Sequence, residues 1–228
     1  MAKRKYIEDD EDETLKGKQY KEAELILLFK LNRIVEYKTP LMEEWLNVEN
    51  PIFDIGEQYN FDKKYKEVQT KIAGWSEEDL KMKFITHILE LGHLEEGNGI
   101  VTFFDKMISA TVQGTPLKIK ADFIMAKGLL NVLQKPYFHF QEYKPLINPK
   151  GEPMAQILEA FLIAQVKNND TKMPLYGVET IGKHWSFVIM EGNEYCVSPT
   201  YDCTKKNDLL QIIAILRKFR WILETRLM

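Results

Sequence analysis

The chain has 228 residues, 45% of them hydrophobic, enough to bury a sizeable core, which excludes a globally disordered protein. No apolar run approaches the roughly 20 residues a membrane span needs, and no signal-peptide apolar core follows the charged start, so a soluble, cytoplasmic protein with no membrane partner is expected. The formal charge of −3 excludes a polybasic nucleic-acid coat but leaves room for a local basic groove.

Residues 1–18 open with Lys3, Arg4 and Lys5, then six acids in a row from Glu8 to Glu13. Six acids against three bases account for the whole formal charge, and such a block predicts a disordered tail. From about Glu22 to Lys38, Leu25, Leu28, Leu31 and Val35 recur at helical spacing until Pro40 interrupts them. A second short segment, Leu41 to Leu46, ends near the turn signals Asn50-Pro51. Residues 19–70 are read as a helical annex, suited to cap a main domain over 71–228 or to pair two copies as a homodimer. Ser76 is the expected N-cap of a helix with Asp79 in its third position, Leu80, Phe84, Ile88 and Leu91 as its buried stripe, and Gly92 at its end.

The period then changes from helical to two. Ile100 to Phe104 and Met107 to Val112 read as strands, and Leu117 to Met125 is a clearer one. Its alternation puts Leu117, Ile119, Ala121, Phe123 and Met125 on one face, with Lys118, Lys120 and Asp122 opposite. A connection centred on Gly128 leads to the strand Tyr137 to Lys144, where Phe138, Phe140, Glu142 and Lys144 share a face. A helix from about Glu152 to Val166 follows, then strands at 176–180 and 185–190. A hairpin at Gly192-Asn193 returns through Tyr195 to Ser198, and a helix runs from Asp208 to about Arg226. This order predicts an α/β domain, a mixed central sheet flanked by helices with an N-terminal helical extension. Cys196 and Cys203 form no CxxC pair and read as small hydrophobes.

Cleaving a phosphodiester requires a Lewis acid that neutralises charge in the transition state and acidifies an attacking water. Magnesium does this from one or two carboxylates, keeping positions for water and phosphate. Asp122 and Glu142 can supply them from the ends of neighbouring strands, and Lys144 emerges on the same face as Glu142, placed to steady charge or orient the water. The acid-x-lysine spacing alone carries little information. Glu36-Tyr37-Lys38, Asp62-Lys63-Lys64, Asp79-Leu80-Lys81 and Asp170-Thr171-Lys172 share it, and each reads as a solvated pair or an accident of helical spacing. Glu142-Tyr143-Lys144 differs in context, ending an aromatic strand between the Asp122 strand and a helix. The competing reading is a structural ion-pair cluster. A carboxylate-pair glycosidase is disfavoured because Lys144 has no natural role there.

Ala121-Asp122 followed by YFHFQEYKP (137–145) resembles the PD-(D/E)XK nuclease superfamily, the restriction-endonuclease-like fold, and within it a bacterial group common in Bacteroidetes. The segments WSEEDLKMKFI (75–85), KADFIMAKG (120–128), AQILEAFLIAQ (155–165) and YGVETIGKHWSFVIMEGNEY (176–195) carry it further, over roughly 75–225. The resemblance implies Mg²⁺ or Mn²⁺ as cofactor, held by Asp122 and Glu142 with Tyr143 completing the ligand set, and Lys144 as catalytic lysine. It implies that Glu77, with Glu78 as rival, and Gln156 on the following helix join the site. It implies a Mg-dependent nuclease acting on DNA first and RNA second, with a weak or idle module that binds nucleic acid or a protein partner as the alternative. Ala121 stands where the family pattern has proline.

The remaining polar candidates have plainer readings. His139 is expected as a core or sheet-face residue, and His87 and His93 lack ligand-like partners at i+4. His184, beside Lys183 and Trp185, is a weak candidate for a phosphate or base contact. The aromatic run 137–143 reads as sheet packing.

Overall fold

The computed structural model describes residues 18–228 apart from 38 and 131, so the expected tail falls almost wholly outside the described residues. Where the sequence suggests one helix from Glu22 to Lys38, the chain forms a helix, a strand and a 3-10 turn. Helix α1 (Glu22–Phe29) ends at Lys30, whose φ of 53° is left-handed, and strand β1 (Asn32–Ile34) follows. Only part of the apolar stripe is used, with Leu25 and Leu31 buried and Leu28 and Val35 exposed. Helices α2 (Pro40–Leu46) and α3 (Ile55–Lys71) come next, capped by Thr39 and by a reciprocal Asp54–Glu57 pair.

Ser76 caps the next helix as expected, its hydroxyl accepting the Asp79 amide hydrogen at 3.1 Å. The run has three parts: α4 (Glu77–Leu80), a π-turn (Lys81–Ile85) and α5 (Thr86–Leu91). Gly92 follows α5, but the left-handed residue is His93, at φ 58°. Gly92 answers a different need, since a Cβ there would meet Leu216 at 2.7 Å.

Strand β2 (Ile100–Val112) joins the two strands expected there, and β3 (Thr115–Leu129) and β4 (Val132–Lys144) complete an antiparallel meander. Gly128 is not a connection but lies within β3, paired with Leu133. After β4 come α6 (Pro153–Asn168), β5 (Leu175–Ile181), β6 (His184–Glu191), β7 (Glu194–Val197), β8 (Tyr201–Asp202) and α7 (Lys206–Ile222). Helix α6 is the crossover that returns β5 parallel to β4. The sheet has eight strands in the order β1-β7-β6-β5-β4-β3-β2, with β8 paired to β6.

One face of the sheet packs against α2, α3, α5 and α7, around Trp45, Phe84, Trp185 and Phe219, and the other against α1 and α6, around Leu25, Leu158 and Phe161. The result is a mixed α/β architecture in three layers. Residues 19–70 do not stand beside it as an annex. Strand β1 extends the sheet parallel to β7, and Trp45 is fully buried in the main core with its indole N–H donating to the Ile215 carbonyl at 2.9 Å. Cys196 and Cys203 are buried and unbridged. Among the described residues no helix is long and apolar enough to cross a membrane.

Candidate active site

The β3–β4 ladder runs from Leu129↔Val132 to Phe123↔Gln141 and stops there. Beyond that point β3 continues against β2 alone, and β4 against β5 through Glu142↔Glu179, Tyr143↔Thr180 and Lys144↔Ile181. Asp122 and Glu142 are the first residues past the last rung. Side chains replace the missing ladder bonds: the Tyr143 amide donates to Asp122 Oδ2 at 2.8 Å, and the Asp122 amide to Glu142 Oε1 at 3.4 Å. The facing of β3 also changes here. Leu117, Ile119 and Ala121 pack on the α6 side, whereas Phe123 and Met125 pack on the α7 side. The five do not share a face as strict alternation predicts. Nor do Phe138 and Phe140, because β4 carries an extra residue where Met125 pairs with His139 and Ala126 with Tyr137.

Strand β2 is irregular beside the same point. Phe104 pairs with Phe123 and Lys106 with Ala121, but Asp105 between them drops out of the ladder at φ 52°. Such a conformation is uncommon outside glycine, though aspartate tolerates it better than most residues. Above the fork lies the helical run. Lys81, first residue of the π-turn, sets its ammonium 2.6 Å from Asp122 Oδ1, 3.2 Å from Glu77 Oε1 and 3.3 Å from Asp105 Oδ1. Lys144 Nζ is 3.4 Å from Glu77 Oε2 and 3.8 Å from Asp122 Oδ2. A single π-turn inside a helix recurs at functional sites.

The structure thus brings Asp122, Glu142, Lys144 and Glu77 together. Of the two rival acids, Glu77 faces the lysines and Glu78 is exposed. Gln156 is half-buried in the first turn of α6 and shares no hydrogen bond with the acid pair among the described residues. Tyr143 offers the site its main chain only, since its phenol is buried and donates to Gln141 Oε1 at 2.7 Å. His139 is a core residue stacked on Phe219 with ring centroids 4.5 Å apart, its pKa driven down to about 3 by burial. His184 is exposed on an open groove with Glu179, Ser186, Thr200 and Asp202.

Two of the acid-x-lysine triplets read as surface accidents are not. Lys81 is an integral member of the site. Lys64 is buried, donating to the Lys83 carbonyl at 2.8 Å and to Glu67 at 3.1 Å. Asp170-Thr171-Lys172 is a local turn in which Asp170 accepts the amide hydrogens of Lys172 and Met173. Glu36 sits in a 3-10 turn after β1 rather than at a helix end, and Lys38 falls outside the described residues.

Burial holds the Glu142 carboxyl well above its ordinary range, reinforced by the negative Asp122 beside it and opposed by Lys144. Burial by itself would lower Lys81, but the hydrogen bond and charge of Asp122, with Glu77 and Asp105 behind it, raise it above the usual lysine value. Glu142 Oε2 is buried without a hydrogen-bond partner. Among the described residues no group of three or more His, Cys, Asp or Glu is placed to hold a metal ion. The candidate donor set is therefore two adjacent carboxylates, one with an unsatisfied buried oxygen. Magnesium suits such a set, taking one or two carboxylates and filling its remaining positions with water and substrate oxygen. The residues present fit a hard divalent cation.

A buried carboxyl with a raised folded pKa keeps its proton where the unfolded chain has lost it. Metal-free protein is therefore expected to lose stability as pH climbs from the ordinary carboxylate range through the raised value of Glu142. Glu142→Gln should flatten that fall and gain on the order of 1 kcal/mol at neutral pH. Chemical denaturation of both proteins in chelator from pH 4 to 8 checks this, and a glutamine variant less stable at every pH would contradict it.

The chain matches no protein-family model, and no curated protein matches it.

Proposed function

We propose that this chain is a Mg²⁺- or Mn²⁺-dependent phosphodiesterase of the PD-(D/E)XK type, acting on nucleic acid and on DNA first. One observation carries the reading. Two strands separate at the last rung of their ladder and leave Asp122 and Glu142 side by side, with Lys144 two residues along. The element order supports it: a helix bearing Glu77, a three-strand meander, then a helix and a strand parallel to the meander's last.

Asp122 and Glu142 would hold the cation, which when bound supplies Lewis acidity toward phosphate and lowers the pKa of water. Lys144, nearly buried and braced by Glu77, offers a fixed positive charge to the oxyanion that develops at phosphorus. The Tyr143 amide keeps the Asp122 carboxylate oriented. A nuclease-fold module with an idle site is the second reading, favoured by one contact, because Lys81 already compensates the charge of Asp122.

The deciding experiment is a cleavage assay over single- and double-stranded DNA and RNA with Mg²⁺ or Mn²⁺. Metal-dependent cleavage is expected, and Asp122→Asn should lower it by at least about a hundredfold, the least that several kcal/mol of lost Lewis-acid stabilisation implies. No cleavage of any substrate with either metal, from folded wild type, would remove the enzyme reading and leave the binding module.

A further inference from the structure

Lys81 has more anionic company than its charge requires. Its ammonium touches Asp122, Glu77 and Asp105, and its side chain is only 14% exposed. The shortest contact falls on Asp122 Oδ1. The other carboxylate oxygen, Oδ2, is engaged by the Tyr143 amide, with Lys144 at 3.8 Å. An ammonium bound so closely occupies the oxygen that a hard cation would take, and two cations on one buried carboxylate repel strongly. Asp105 gives the lysine somewhere to go. Its uncommon backbone conformation holds a half-exposed carboxylate beside Lys81, outside the Asp122–Glu142 pair, with Lys120 the other cation near it at 3.5 Å.

We propose that Lys81 is a built-in counter-ion of the acid pair which a divalent cation must displace, and that Asp105 receives its ammonium when it withdraws. In the metal-free protein Lys81 keeps Asp122 compensated and the fork closed around it. When metal enters, Lys81 moves from Asp122 to Asp105 and Glu77, where it remains as a second positive group on the rim of the site. It is a positioning residue that sets how tightly the site takes metal. This rests on the metal-site reading of Asp122 and Glu142.

Calorimetric titration with Mn²⁺ alone tests it, using full-length wild type, Lys81→Met and Asp105→Asn, each checked for folding by circular dichroism in chelator. Lys81→Met should bind Mn²⁺ about tenfold or more tighter, since a competing unit charge at contact distance is removed. Asp105→Asn should bind severalfold more weakly, because the displaced ammonium has lost its receiving carboxylate. Asp105 is half-exposed, so this second variant tests the idea even if Lys81→Met does not fold. Wild type and Lys81→Met binding with equal affinity, or the variant more weakly, would overturn the inference while leaving the metal site standing. Unchanged affinity in Asp105→Asn would overturn the receiving role. Absence of Mn²⁺ binding in wild type and in a folded Lys81→Met would instead bring down the metal-site reading, and this inference with it.

Discussion

Replacing Trp45 by alanine is expected to lower the free energy of unfolding by about 3–5 kcal/mol, the usual cost of deleting a buried large aromatic. The side chain is fully buried, and its indole N–H donates to the Ile215 carbonyl of α7 at 2.9 Å. Its ring meets Tyr176 and Phe187 edge-on, with centroids 5.0 and 5.1 Å away. Truncation opens a cavity, forfeits these contacts and that to Phe219, and leaves a carbonyl without its side-chain donor. These partners all belong to the sheet or to α7, while Trp45 itself sits on α2. The measurement is a urea denaturation curve, in which the midpoint should fall with little change of slope. For a chain of this length the melting temperature should drop by about 2–4 °C for each kcal/mol lost. A cost below about 1 kcal/mol would mean that the N-terminal segment docks loosely on a domain that stands without it.

In that segment the local sequence pattern and the fold differ most, for a reason visible in its residues. Helical spacing of Leu25, Leu28, Leu31 and Val35 describes a local pattern, and it continues across Lys30 although the chain does not. What fixes β1 is its pairing with β7, some 160 residues away, which no local period can report. The site was legible in part. Glu142-Tyr143-Lys144 stands out because it ends an aromatic strand with the Asp122 strand before it and a helix after it, and the fork forms there, although Asp122 lies inside β3 rather than at the strand end expected for it. Strict alternation does not hold through these strands, since β3 changes facing beyond Asp122 and β4 bulges near Phe138.

The acid-x-lysine spacing says nothing about Lys81, yet the sequence carries another signal for it. It lies four residues after Glu77, the spacing that puts two side chains on one helix face, and the pair is an ion pair at 3.2 Å. Asp105 also left a trace, as the interruption between two strands that are in fact one. Which acid a lysine reaches across the fold depends on the π-turn, and a single extra residue in a helical turn leaves no periodic signature.

The second large effect is expected from Lys144→Met, which should separate catalysis from metal binding. Lys144 ends β4 and is tied to β5 by its Ile181 pairing. Its ammonium lies nearly buried between Glu77 and Asp122, with side-chain exposure of 8%. Loss of one preorganised group that stabilises developing negative charge costs about a hundred- to a thousandfold in rate. Cleavage by Lys144→Met should fall by that factor at saturating Mn²⁺. Metal binding should survive, because an ammonium is no ligand and its removal leaves both carboxylates in place. An ion that binds only the folded state stabilises it by about 2.7 kcal/mol at a hundredfold excess over its Kd. The Mn²⁺-induced rise in melting temperature should therefore persist in Lys144→Met and be at least as large as in wild type. It should vanish in Asp122→Asn and Glu142→Gln, where a donor is lost. Wild-type cleavage in Lys144→Met would strip the residue of its catalytic role and leave it a structural partner of Glu77. Loss of both cleavage and the metal-induced shift in a folded Lys144→Met would mean instead that Lys144 maintains the geometry of the acid pair, and the division of labour proposed for this site would be wrong.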